Sequence, residues 1–215
     1  VDEVCTVGAA PRAFLLSNKE FGLRAGQSIR RIVQDGCLLL NQMSVRGNNA
    51  DEIYPRIWLG NRRAAMDPDY LQSQHIDTVF NCSKDLPFHP YARNRYRLPV
   101  ADNLMPTEIQ HMGDWAWETM QCLVREYNLG RTILVHCRAG MQRSAAVCTM
   151  FLMLHAGMTF DQAYMHLRAK RPIVFRPMIN FKSAILRFET ELRQQRRAAK
   201  RVMPYSAADP VYATL

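Results

Sequence analysis

Thr132-Ile133-Leu134-Val135-His136-Cys137-Arg138-Ala139-Gly140-Met141-Gln142-Arg143-Ser144 is the stretch on which the reading of this chain turns. Its opening residues lack the apolar-polar alternation of a half-exposed strand, so Thr132 to Val135 reads as a central strand covered on both faces. Gly140 interrupts the pattern, and an apolar run from Ala145 to Leu154 follows at a length that suits a helix. Strand, short loop and helix therefore succeed one another. Cys137 falls just beyond the carboxyl end of the strand, the place where ligands bind in open α/β sheets.

Working outward, short strand patterns occur at Glu52 to Tyr54, Ile57 to Leu59, Thr78 to Cys82 and Arg95 to Val100. Between and after them lie helical patterns. Ile109, Met112, Ala116, Met120, Leu123 and Tyr127 share one face of a helix predicted over 108–127. Further helices are predicted at about 142–156, 159–170 and 178–195. The alternation predicts an α/β domain with a central, mostly parallel sheet of about five strands and helices on both faces. Ahead of it, Ile29, Ile32, Val33, Cys37, Leu40 and Met43 recur at helical spacing after Ser28, and Arg46-Gly47-Asn48-Asn49 ends that pattern. The organisation is thus an N-terminal helical extension over 1–50, an α/β domain over 51–193, and a basic, flexible tail over 194–215.

The loop after the strand carries the chemistry. A helix starting near Gln142 points backbone amides at the loop, which makes an anion site. The helix dipole and Arg143 favour the thiolate of Cys137, the nucleophilic form. Arg143 can return from the first helical turn and offer a planar guanidinium to two phosphate oxygens, which lysine cannot do. Ser144 is placed to donate a hydroxyl to the sulfur as it leaves, and Gly140 supplies a backbone angle that side chains resist. His136 is placed to tune the thiolate through a hydrogen bond with the loop. Turnover also needs a proton donor. Asp102, in Val100-Ala101-Asp102-Asn103-Leu104-Met105-Pro106 between a strand and a helix, is the best placed, with Asp85 and Asp114 as competitors.

These residues resemble the dual-specificity branch of the protein tyrosine phosphatase superfamily. His136-Cys137 to Arg143-Ser144 matches its HCxxGxxRS signature, Asp51 to Gly60 is similar to its entry strands, and Val100-Ala101-Asp102 to its general-acid loop. The similarity runs from Asp51 to Leu192. It implies a phosphocysteine at Cys137, proton transfer by Asp102, and phosphate held by Arg143 and the amides of Arg138, Ala139, Gly140, Met141 and Gln142. It also implies no metal, no cofactor, and phosphorylated proteins as substrates. Pro177-Met178 and Ala184 depart from the Pro-Asn and glutamine usual behind the loop. Arg93-Asn94-Arg95-Tyr96 echoes a phosphotyrosine-recognition loop of the classical enzymes, but abuts the general-acid segment and reads as coincidence.

Composition narrows the remaining classes. The 215 residues are 48% hydrophobic, enough for one substantial core. No apolar run reaches membrane-span length, and Asp2-Glu3 does not open a signal peptide, so an intracellular, cytoplasmic or nuclear protein is expected. Six cysteines at wide spacing, without a CxxC pair, predict reduced thiols and no metal cluster. The net charge of +9 owes five bases to Arg193, Arg196, Arg197, Lys200 and Arg201; without them 23 bases face 19 acids. That basic stretch motivates an RNA 5′-phosphatase as an alternative, although Arg143-Ser144-Ala145 favours protein substrates. A phosphate-binding scaffold with little turnover is the third reading. The N-terminal helices could cover the domain or pair two copies into a homodimer.

Overall fold

The computed structural model describes Cys5–Thr6 and residues 48–202, with side chains over 48–199. The predicted helical extension, its Ser28 cap and its part in a homodimer lie outside the described residues.

Six strands form one sheet: β1 (Cys5–Thr6), β2 (Ala50–Tyr54), β3 (Ile57–Gly60), β4 (Thr78–Asn81), β5 (Asn94–Arg97) and β6 (Ile133–His136). Their order is β1-β5-β4-β6-β3-β2, and every pairing is parallel except the hairpin of β2 with β3. The quoted segment lies where predicted. β6 sits at the centre, with His136 opposite Gly60 on one side and Asn81 on the other. All four of its residues are buried, as the unbroken apolar pattern requires. β1 adds a sixth strand, too short for periodicity to reveal.

Helices cover both faces. On one face lie α1 (Arg62–Ala65) and α2 (Pro68–Ser73), started by Asn61 and Asp67, whose side chains accept from the first-turn amides. Their small core holds Ala64, Ala65, Leu71, Ile76, Val79 and Leu134. The other face carries α3 (Pro106–Asp114), α4 (Ala116–Asn128), α5 (Arg143–His155), α6 (Phe160–Lys170) and α7 (Lys182–Val202). There the main core gathers Ile133, Val135, Met112, Met120, Leu123 and Phe151 among others. Alternate residues of β6 thus serve opposite cores.

Two helix boundaries differ from the sequence reading. The single helix predicted over 108–127 bends at Trp115 into α3 and α4, next to Gly113, a residue with low helix propensity that packs against Ala184 and Arg187. The last helix runs on to Val202, so the first part of the segment read as flexible tail is helical. Arg196 helps to hold it there, donating from one guanidinium nitrogen to the carbonyls of Met153 (2.9 Å) and Leu154 (3.1 Å) in the last turn of α5.

Candidate active site

The site forms where β6 ends and α5 begins. Every residue of α5 from Arg143 to Leu154 is buried, so this helix is apolar all round and held by α4, α6 and α7. No side chain caps its start at Gln142, which leaves the first-turn amides free to meet an anion. Cys137, 1% exposed, lies against them. Its sulfur receives the Gly140 amide at 3.3 Å and the Ser144 hydroxyl at 3.3 Å. Burial pushes the thiol pKa up. The hydroxyl and amide of Ser144, the charge of Arg143 and the amide of Met141 outweigh it, and the thiol is held below its ordinary value.

Arg143 is anchored by Nη1, which donates to the Val100 carbonyl at 3.1 Å. Its Nε is buried without a hydrogen-bond partner, and lies 3.9 Å from Asp102 Oδ2. An orphaned donor in a pocket of amides is what an oxyanion would satisfy. Asp102 thus faces the guanidinium across the site, and Asn180 Nδ2 fixes it by donating to Oδ1 at 2.8 Å. The loop carrying Asp102 is tied down by Glu108, whose Oε2 accepts the Ala101 amide at 2.8 Å and whose Oε1 pairs with Lys84. Although burial raises the Glu108 pKa, Lys84 and the Ala101 amide bring it below the usual carboxylate value.

The competing acids are engaged elsewhere. Asp114 pairs with Arg187 at 2.8 Å on α7. Asp85 pairs with Arg138 at 2.8 Å, so it lies beside the loop, in an exposed ion pair. His136 is 1% exposed and points to the α1 face. Burial pushes its pKa down to about 4, so the ring is neutral near pH 7. The hydrogen bond expected between the imidazole and the loop is no more than a poorly aligned one to the backbone of Cys137: neither ring nitrogen has a partner of normal geometry. The reason is geometric, since alternation along β6 aims the ring away from the sulfur.

The residues predicted to bind phosphate through their amides do come together, but their other atoms turn outward. The carbonyl of Arg138 accepts the Arg62 amide at 3.2 Å, and that of Met141 accepts the Phe175 amide at 2.9 Å. Gln142 spans to the next loop, donating to the carbonyls of Arg176 and Met178 and accepting from the Asn180 amide. Thus Met178, which stands where the family usually has asparagine, still supports the site through its carbonyl.

Sequence reasoning missed Arg171. It is 1% exposed and donates Nε to the Gly140 carbonyl at 3.0 Å, and Nη1 to Asp51 Oδ2 at 2.6 Å and to the Asn48 carbonyl at 2.9 Å. By holding that carbonyl from behind, it leaves the loop amides facing the thiol. Gly140, at φ 68°, completes the close approach: a Cβ there would stand 2.5 Å from the Gly60 carbonyl oxygen. In sequence Arg171 looks like any base at a helix end, because only the return of Asp51 and Gly140 in space gives it a partner.

The family described as dual specificity phosphatase, catalytic domain, matches residues 57–191. Human dual specificity protein phosphatase 2 is 32% identical over 142 residues, covering 66% of this chain and 44% of that protein. Mouse dual specificity phosphatase 28 is 31% identical over 160 residues, covering 74% and 91%. The crystal structure of human DUSP28 superposes with a TM-score of 0.61 at 27% identity, covering 70% of this chain and 99% of that one. The chain spans less than half the length of several curated relatives it matches.

Proposed function

The chain belongs to the dual specificity phosphatase family, and from that premise we propose that it hydrolyses phosphotyrosine and phosphoserine or phosphothreonine in proteins through a phosphocysteine on Cys137. The observation that carries this reading is the facing pair: a thiol with lowered pKa beneath Arg143, and Asp102 held across from it.

In the first step the thiolate attacks phosphorus and the bond from phosphorus to the ester oxygen breaks. Asp102 passes its proton to that oxygen, which leaves as an alcohol or phenol. Arg143 and the amides of residues 138–142 hold the other phosphate oxygens as charge builds on them. In the second step water attacks the phosphocysteine and gives its proton to Asp102. The phosphorus-sulfur bond breaks, and the Ser144 hydroxyl stabilises the departing thiolate.

Cys137→Ser is expected to abolish hydrolysis of an aryl phosphate, and an unchanged rate would sink the mechanism. Asp102→Ala should lower kcat by roughly a hundredfold or more while phosphate still binds. With rapid quenching, mass spectrometry of that variant should show one added phosphoryl group on the Cys137 peptide.

RNA 5′-phosphates are not favoured as substrates. Of the bases behind that alternative, Arg196 is used on the α5 carbonyls and Arg193 pairs with Glu189 at 2.8 Å. No helix among the described residues is long and apolar enough to cross a membrane.

A further inference from the structure

Beside the phosphate loop, on the α1 side of the sheet, lies a cavity of about 230 Å³ lined by Arg62, Arg63, Met66, Leu86, Pro87 and His136. The reaction as derived makes no use of it. Three properties of its lining are informative. Arg62 and Arg63 are exposed and form no ion pair among the described residues. His136 is buried at the strand end with neither ring nitrogen in a well-formed hydrogen bond, whereas most buried polar groups are satisfied. Met66, Leu86 and Pro87 make the walls apolar.

The cavity is also rigidly attached to the catalytic loop. The Arg62 amide donates to the Arg138 carbonyl at 3.2 Å, and His136 directly precedes Cys137. The opposite wall is pinned through the Leu86 carbonyl, which accepts from Asn81 Nδ2 at 2.8 Å and Arg97 Nη2 at 2.9 Å. Its shape therefore does not depend on a ligand to assemble it.

We infer that this cavity is a specificity subsite that takes an acidic side chain flanking the phosphorylated residue of the protein substrate. The inference rests on the phosphatase reading above and names a feature of the substrate it acts on. A glutamate fits the lining by parts. Its methylenes lie against Met66, Leu86 and Pro87, its carboxylate is bound between the guanidiniums of Arg62 and Arg63, and the neutral imidazole supplies one further N-H. A second phosphate fits less well. Two guanidiniums offer donors enough for a dianion, but the apolar walls of Met66, Leu86 and Pro87 would strip its hydration without replacing it.

The test is a set of phosphotyrosine peptides in which one glutamate is moved through the positions on either side of the phosphoresidue, each paired with its glutamine counterpart. For at least one position the glutamate peptide should show kcat/KM roughly tenfold higher, the scale of one charge-assisted contact. Arg62→Gln with Arg63→Gln should remove that preference and leave turnover of p-nitrophenyl phosphate, which reaches only the catalytic loop, at the wild-type rate. Binding of the same peptides to Cys137→Ser, followed by fluorescence anisotropy, tests the subsite without turnover. Failure to hydrolyse p-nitrophenyl phosphate would overturn the catalytic reading but leave the anisotropy comparison intact. The subsite is refuted if no position separates glutamate from glutamine, if the preference survives in the double variant, or if a second phosphoresidue is preferred to glutamate at the responsive position.

Discussion

At Cys137 two opposed effects meet, and their balance decides whether the proposed nucleophile is a thiolate at neutral pH. Nearly complete burial favours the neutral thiol; two contacts from Ser144, the Arg143 charge and the Met141 amide favour the thiolate and prevail. The neighbouring thiols show the opposite balance, with burial first and the charge of Cys137 second. Cys82 and Cys148, equally buried but without such donors, have pKa values pushed well up. Alkylation by iodoacetamide should therefore follow a pH profile whose Cys137 midpoint lies below the roughly 8.5 of a free thiol. Ser144→Ala should move that midpoint upward while the protein stays folded, since only a small hydroxyl is lost. An unmoved midpoint would mean that Ser144 acts on the sulfur only during its departure.

At the scale of elements, the site is a junction of β6, α5, the Asp102 loop and the end of α6, and Arg171, at that end, ties the loop between β6 and α5 to β2 through Gly140 and Asp51. Arg171→Met should leave Asp51 without its partner and destabilise the fold by roughly 3 kcal/mol, measured from the urea midpoint. It should also lower kcat for an aryl phosphate by on the order of a hundredfold, because the loop amides lose their alignment. A kcat near wild type in a folded variant would show that the loop holds its shape unaided. The meeting of Cys137, Arg143 and Ser144 in space was legible because one contiguous strand-loop-helix segment presents them at fixed spacing. Asp102 needed its loop context as well. Arg171, Asp51, Glu108 and Asn180 were not legible, because each acts on a partner distant in the chain and carries no local pattern. The bend at Trp115 and the length of α7 were missed for the same reason: periodicity continues across Gly113, and the carbonyls that hold Arg196 belong to another helix.

At the scale of the molecule, the buried titratable groups set the pH range in which the fold is stable. His136 and His155 are each held at about 4 by burial, against about 6.5 in an unfolded chain, and His166 is lowered as well. Between those values the unfolded state binds protons that the native state refuses, so stability rises with pH and is lost as pH falls from about 6.5 towards 4. The depressed pKa of Cys137 acts in the same sense, nearer neutrality. On the alkaline side the sign reverses. Cys82 and Cys148 keep their protons in the fold, and Tyr96 is pushed up to about 12, so stability falls once the unfolded thiols ionise above about 8.5. Urea midpoints should accordingly be highest between about pH 6.5 and 8.5 and decline on both sides. At pH 5 each buried histidine withdraws at most about 2 kcal/mol, and half-buried His155 less. His155 stacks on Phe151 with ring centroids 5.0 Å apart, so His155→Phe keeps an aromatic ring there while removing the proton site. That variant should lose less of its urea midpoint between pH 7 and pH 5 than the wild type. An equal loss would assign the acid limb to other groups, with His136, at the floor of the proposed subsite, the next to replace.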